Sequence, residues 1–324
     1  MSARMARFGA MAAALLVAAA PLLIEDRFLL KVFTFVGLNA LVVLGLAVLF
    51  GHAGQVSLGH AAFVGLGAYT CAILTVTHEL PWLVAFAASG LLAAVGGLVL
   101  ALPSLRMKGH YLAMATLGFG ELATLLFVEA EPVTGGVDGF AGIPFPSIGA
   151  FEFREPAALY WLVWGVVGAA VLLVANAMRL RPGRMMRALH GSELGAIASG
   201  VDTVGVKVRS FVLSAALAGM SGALYASVVG FVSPSLFTVA SSVTFLAMAV
   251  IGGTGSLAGP IAAAALLTLL QYLDAFLPGI SRQTAQLVQS YQADVYGLAI
   301  VIVVVLAPRG IAGLLAHRRA GGTR

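Results

Sequence analysis

The sequence predicts an all-α polytopic integral membrane protein of about ten transmembrane helices, with one or more segments broken or re-entrant. Three observations predict it. Apolar residue types make up 60% of the 324 residues and charged types only 10%, with a mean hydropathy of +1.03; a soluble domain carries roughly a quarter charged residues. Apolar runs near the ~20 residues that a spanning helix needs recur along the whole chain. The basic and acidic residues also separate onto alternate loops, as the positive-inside rule requires.

The elements follow in order. Segment 8–24 comes after Arg4 and Arg7 and contains Ala18-Ala19-Ala20, the look of a signal peptide; the charge pattern works with it retained as a first helix. Segment 28–50 starts behind Arg27 on the outer side, and 55–77 carries unusual polarity. Segment 82–104 runs down to Arg106 and Lys108, and 110–130 runs back up to Glu129 and Glu131. Segment 158–178 descends from Glu155 to Arg179, and 210–232 ascends from Lys207 and Arg209. Segment 236–252 is short and Gly-rich at its end, so a re-entrant or broken form is expected. Segments 257–274 and 291–307 complete the set, the last ending at Arg309.

With both termini inside, all of the 18 basic residues except Arg27, Lys31, Arg154 and Arg282 fall on the inner side, while Asp138, Glu152 and most other acidic residues fall outside. The net charge of +5 is therefore a topology signal and argues against nucleic-acid binding. The chain reads as one transmembrane domain over 1–324, with an outer loop at about 131–157 and an inner loop at about 179–209.

Several chemistries are missing from the pattern. Lys31, Lys108 and Lys207 are the only lysines, and none follows a phosphate-loop glycine pattern. Cys71 is the only cysteine, so neither an internal disulfide nor a paired-thiolate metal site is expected. Few charges lie in the spans, which leaves little for the proton relay of a stand-alone secondary transporter, the rival reading. If substrate moves uphill, the energy comes from elsewhere.

One stretch stands out: GHAGQVSLGHAAFVGLGAYT at 51–70. Polar groups at membrane depth must face protein or a water-filled cavity, and glycines permit close backbone approach or a break. Gly51, Gly54, Gly59, Gly65 and Gly67, with Gln55, Ser57 and His60, predict an interrupted helix entering the bundle. Either these groups line a path or they serve only interhelical hydrogen bonds. His52 and His60 stand eight apart with no thiolate or carboxylate nearby, which disfavours a metal pair. Glu121, mid-span in LGFGELATLLF, and Asn39 pose the same choice between path lining and helix pairing. In 210–232, Ser214, Ala218, Gly222, Ala226 and Gly230 recur at spacing four, a small-residue face for close packing. In the inner loop, Arg184–Ser199 reads as one amphipathic helix with Met185, Leu189 and Ile197 toward a partner; binding of its arginines to anionic membrane lipid is the other reading.

The stretch at 51–70 closely resembles the signature of permease subunits of branched-chain amino acid ABC importers, the LivM/LivH type. YLAMATLGFGE at 111–121 followed by TGGVDGFAGIP at 134–144 looks like the LivM branch. Residues 183–226 are similar to the family's cytoplasmic coupling segment and its following helix, and IGGTGSLAGP at 251–260 matches its late Gly-rich motif. Two departures are visible: ALHGSELGA at 188–196 is less charged than usual, and Asp138 stands where the family usually shows Asn. The resemblance implies a bacterial inner-membrane importer permease for leucine, isoleucine or valine, with relatives that carry urea, amides or aromatic acids. It implies a LivH-type second permease, two LivG/LivF-type cytoplasmic ATPases and an external solute-binding protein. ATP would be used by those partners, with no cofactor on this chain and no covalent chemistry. On the same basis Arg184, Arg187, Leu189, Glu193, Ile197 and Gly200 would couple the chain to an ATPase.

Overall fold

In the computed structural model, residues 17, 19–22, 24, 26–104, 107, 109–149, 151–253, 256–272 and 298 are described. The helices are α1 (Arg27–Leu46), α2 (His60–Ala72), α3 (Trp82–Ser104), α4 (His110–Glu129), the short α5 (Glu131–Thr134), α6 (Pro156–Arg179), α7 (Arg181–Gly191), α8 (Glu193–Ala198), α9 (Thr203–Val229), α10 (Val239–Gly252) and α11 (Ala258–Gln271). Among the described residues, seven helical stretches are long and apolar enough to cross a membrane, and α11 is a shorter apolar helix. The chain is a multi-pass α-helical membrane protein. Most of 8–24 and all but residue 298 of 291–307 lie outside the described residues.

Local chemistry sets many of the ends. Asp26 caps α1 by accepting from Phe28 N at 2.8 Å. Ser192 and Asp202 cap α8 and α9 by accepting from Gly195 N and Gly205 N. A wide π turn, Ala47–His52, continues α1, and a second, Ile73–Thr77, continues α2. Two-residue strands at β1 (Phe140–Ala141) and β4 (Phe231–Val232) pair antiparallel, as do β2 (Ser147–Ile148) and β3 (Phe151–Glu152). The β1–β4 pair staples the loop at 131–157 to the chain just past α9, and β2–β3 closes a turn within that loop, an addition to the all-helical expectation.

The helices form a centre and a rim. In α1 with its π turn 83% of the spanning window is buried, and in α9 67%, against 33% in α3 and 28% in α4. Helix α9 packs on α1, α2 and α3, and α1 also packs on α6, α10 and α11. Small residues allow this closeness: a Cβ on Gly67 would overlap the Gly219 carbonyl, and one on Gly222 would overlap the Val64 carbonyl.

Three local expectations change. The span expected at 210–232 begins at Thr203, where Asp202 caps it, and ends at Val229. Gly230 is therefore not on the packing face. It is the left-handed C-cap, φ +75°, and donates its N–H to the Ala226 carbonyl. Arg184–Ser199 is two helices, because Ser192 is extended (φ −162°, ψ 119°) between α7 and α8. That break resets the helical phase, so Leu189 points into the chain's own core at 7% exposure, while Leu194 at 77% and Ile197 at 54% face out. Met185 is partly buried against the same core.

Candidate translocation and coupling sites

The interruption expected within 51–70 lies at residues 53–59, between the π turn and α2. Gln55 and Ser57 are in this non-helical, mostly buried segment, and Gly59 is its last residue. Gly65 and Gly67 stand inside the intact α2 instead. The segment could not persist at membrane depth without partners for its backbone; the π turn and α4 supply them, and α9 and α10 hold the start of α2 beside it.

Leu58 N donates to Thr116 Oγ1 of α4 at 2.9 Å. Ala61 N, in the first turn of α2, donates to Ser242 Oγ of α10 at 2.9 Å. Gln55 N donates back to the Leu49 carbonyl at 3.0 Å. His60 is fully buried; its Nε2 lies 3.1 Å from Ser214 Oγ of α9, and its Nδ1 lies 3.4 Å from Ser57 Oγ. Gly59 is pressed onto α4, where a Cβ would overlap the Thr116 carbonyl and stand 3.2 Å from Gly120 N. Each interhelical hydrogen bond in a membrane contributes roughly 0.6 kcal/mol on average, so the several together hold the segment while each alone is weak. Gln55 Oε1 differs: it is buried and meets no hydrogen-bond partner among the described residues.

The other polar residues divide. Asn39 Nδ2 donates to Thr268 Oγ1 at 2.9 Å and ties α1 to α11, a helix-pairing bond. His52 Nδ1 sits 3.0 Å from the Ala47 carbonyl, inside its own turn. Among the described residues no group of three or more His, Cys, Asp or Glu side chains could hold a metal. Glu121 is exposed, and no hydrogen bond or ion pair joins it to another of the described residues, so it pairs no helices among them. Thr116, Ser242 and Thr268 were not singled out by sequence. Each is an ordinary Ser or Thr in an apolar helix, and its partner lies 58, 181 or 229 residues away.

The loop at 179–209 touches the interruption. Gly54, at φ +69°, lies against the His190 ring of α7, where a Cβ would stand 2.9 Å from His190 Nδ1; α7 also packs on the π turn Ala47–His52. Arg187 donates to the Met178 carbonyl at the end of α6 at 3.1 Å, Arg184 is exposed, and Gly200 makes an exposed left-handed turn. Glu193 is not a free surface charge: its Oε1 takes a 2.6 Å ion pair from Lys207 Nζ, with side chains 24% and 11% exposed. This pins α8 to the first turns of α9. On α9, Ser214, Ala218, Gly222 and Ala226 are buried, as the spacing predicted.

Residues 28–306 match the family described as branched-chain amino acid transport system / permease component. The chain belongs to this family. This permease is 32% identical over 291 residues to the high-affinity branched-chain amino acid transport system permease protein LivM of Escherichia coli (strain K12), covering 83% of this chain and 66% of the relative. The LivM protein of Salmonella typhimurium matches at the same identity and coverage. The LivH permease of Escherichia coli (strain K12) is 31% identical over 154 residues, 47% of this chain and 46% of that protein. The permease thus spans about two thirds of the length of its LivM relatives. No solved structure matches it.

Proposed function

We propose that this permease is one of two non-identical membrane subunits of an ATP-driven importer for leucine, isoleucine or valine, in the inner membrane. The observation that carries the reading is the family match over residues 28–306, joined to an interrupted, polar, buried segment of the kind a substrate path needs. The 32% identity to LivM proteins supports the substrate class, and the weaker match to LivH supports a second permease of that type. Two cytoplasmic ATPases and an external solute-binding protein complete the proposed assembly, with ATP used on the partner subunits.

In this mechanism the α7–α8 segment receives the ATPase movement. Its outward Leu194 and Ile197 offer the apolar contact, and Arg184 on α7 is exposed as well. His190 carries the displacement to Gly54, where the chain leaves the π turn for the break. Gln55 and Ser57 border the path there, and the N-terminal end of α2 presents partial positive charge to a carboxylate. Both termini are placed in the cytoplasm, with His190 on that side. An impermeant reagent labelling a cysteine at position 190 only in opened cells supports this; labelling from outside intact cells refutes it. The function itself is tested by uptake of radiolabelled leucine in a strain lacking its own branched-chain importers, carrying this permease with its neighbouring transport genes. Leucine uptake that needs every subunit is expected, and uptake by this chain alone would overturn the reading.

A further inference from the structure

The rim helix α4 presents two opposed faces. Leu112, Thr116, Gly120, Ala123 and Phe127 are buried against the chain's own core. Directly opposite run Tyr111, Met114, Gly118, Glu121 and Leu125, at alternating steps of three and four. Tyr111 is 75% exposed, Met114 70% and Leu125 54%. A Cβ on Gly118 would meet nothing within 4 Å, so the middle of this face is open to a second backbone. Glu121 lies about 16 Å along a helix that is about 30 Å long, near mid-membrane. Hydrocarbon cannot solvate a carboxyl group there; such residues face protein or a water-filled cavity.

We infer that this face of α4 seats a second, homologous but non-identical permease subunit, with Glu121 opposite a polar or basic side chain of that subunit. Spacing, open glycine and carboxyl each bear on the choice of occupant. The 3.5-residue spacing and the glycine suit a closely crossing helix, and a single polar residue on such a seam sets its register. A second copy of this chain using the same face on both sides of a two-fold axis would bring Glu121 against Glu121, like charges in a medium that cannot screen them. A different chain can supply the complementary group. The inference rests on the importer reading, which calls for such a partner.

The test places a photo-crosslinking amino acid at Gly118 or Leu125, and at Leu173 of α6 as a control that is 57% exposed on another part of the rim. The intact importer is expressed in membranes, and co-purification of its two permeases is measured in the same sample. Crosslinks from 118 and 125 to the second permease, and none from 173, are expected. A copurifying second permease that crosslinks at 173 instead, or a crosslink from 118 to another copy of this chain, overturns the inference and leaves the importer reading intact. No copurifying second permease overturns both. As a second readout, Glu121→Leu is expected to reduce copurification several-fold while Leu173→Ala in α6 does not. Full copurification of Glu121→Leu would contradict an engaged Glu121.

Discussion

His190 of α7 closes against Gly54, the residue that turns the chain out of the α1 π turn and into the buried break. A helix of the 179–209 loop and the membrane interruption thus touch through one imidazole and one left-handed glycine. A shift of α7 cannot leave residues 53–59 undisturbed unless that contact opens.

Gly54→Ala should lower uptake at least tenfold with normal membrane levels. The added Cβ both meets His190 and costs about 1–2 kcal/mol in a left-handed conformation. His190→Gly should restore part of the loss by removing the steric half of the problem. Uptake assays on the single and double variants decide; a double variant no better than Gly54→Ala would mean that the ring is not what Gly54 makes room for.

Gly59→Ala and Gly67→Ala should be more damaging than Gly65→Ala. At the first two positions the new Cβ meets backbone carbonyls of Thr116 and Gly219, which cannot turn aside. At Gly65 it meets the Phe127 and Phe237 rings, which can shift, at an overpacking cost of about 1–3 kcal/mol. Immunoblots of membrane-inserted protein, with uptake normalised to them, give the ranking. Equal tolerance at all three positions would remove the close-approach argument.

The Glu193–Lys207 pair predicts charge-swap behaviour. Glu193→Lys should place two ammonium groups together, loosen α8 from α9 and lower uptake several-fold, while the Glu193→Lys, Lys207→Glu double variant should recover most of it. Leu194→Ser with Ile197→Ser should instead weaken ATPase copurification without disturbing insertion, because both side chains already face out. If the charge swap restores nothing, Glu193 acts on a partner and not on Lys207.

Gln55→Ala and Ser57→Ala should slow transport several-fold without changing which amino acid is preferred, because in the proposed importer an external binding protein would make the first selection. Competition uptake with the intact importer measures this. A reversal of substrate order from either substitution would move specificity into the permease.

Much of this architecture was legible because hydropathy acts over whole spans: 82–104 and 110–130 lie within a residue of α3 and α4. The break was legible because Gly, Gln, Ser and His are costly at membrane depth. Its boundary was less so, since Gly59 and Gly67 look alike in sequence although one ends the break and the other packs a helix. Leu189 was misjudged because a single extended residue, Ser192, changes helical phase, and one residue leaves little periodic trace. Gly230 continued the four-residue spacing, yet stands one residue past the helix end as its cap. The clamp from Thr116 and Ser242 depends on pairings 58 and 181 residues apart, which no local pattern encodes.

The most direct test removes Ala188–Ser199, the segment that holds His190, Glu193, Leu194 and Ile197. The complete importer is reconstituted into proteoliposomes with its binding protein, and leucine entry and ATP hydrolysis are measured together. If α7 and α8 pass ATPase motion to the break, the deleted permease still inserts, ATP hydrolysis no longer drives leucine entry, and uptake falls to the ATP-free level. Wild-type ATP-driven uptake after the deletion would contradict the account.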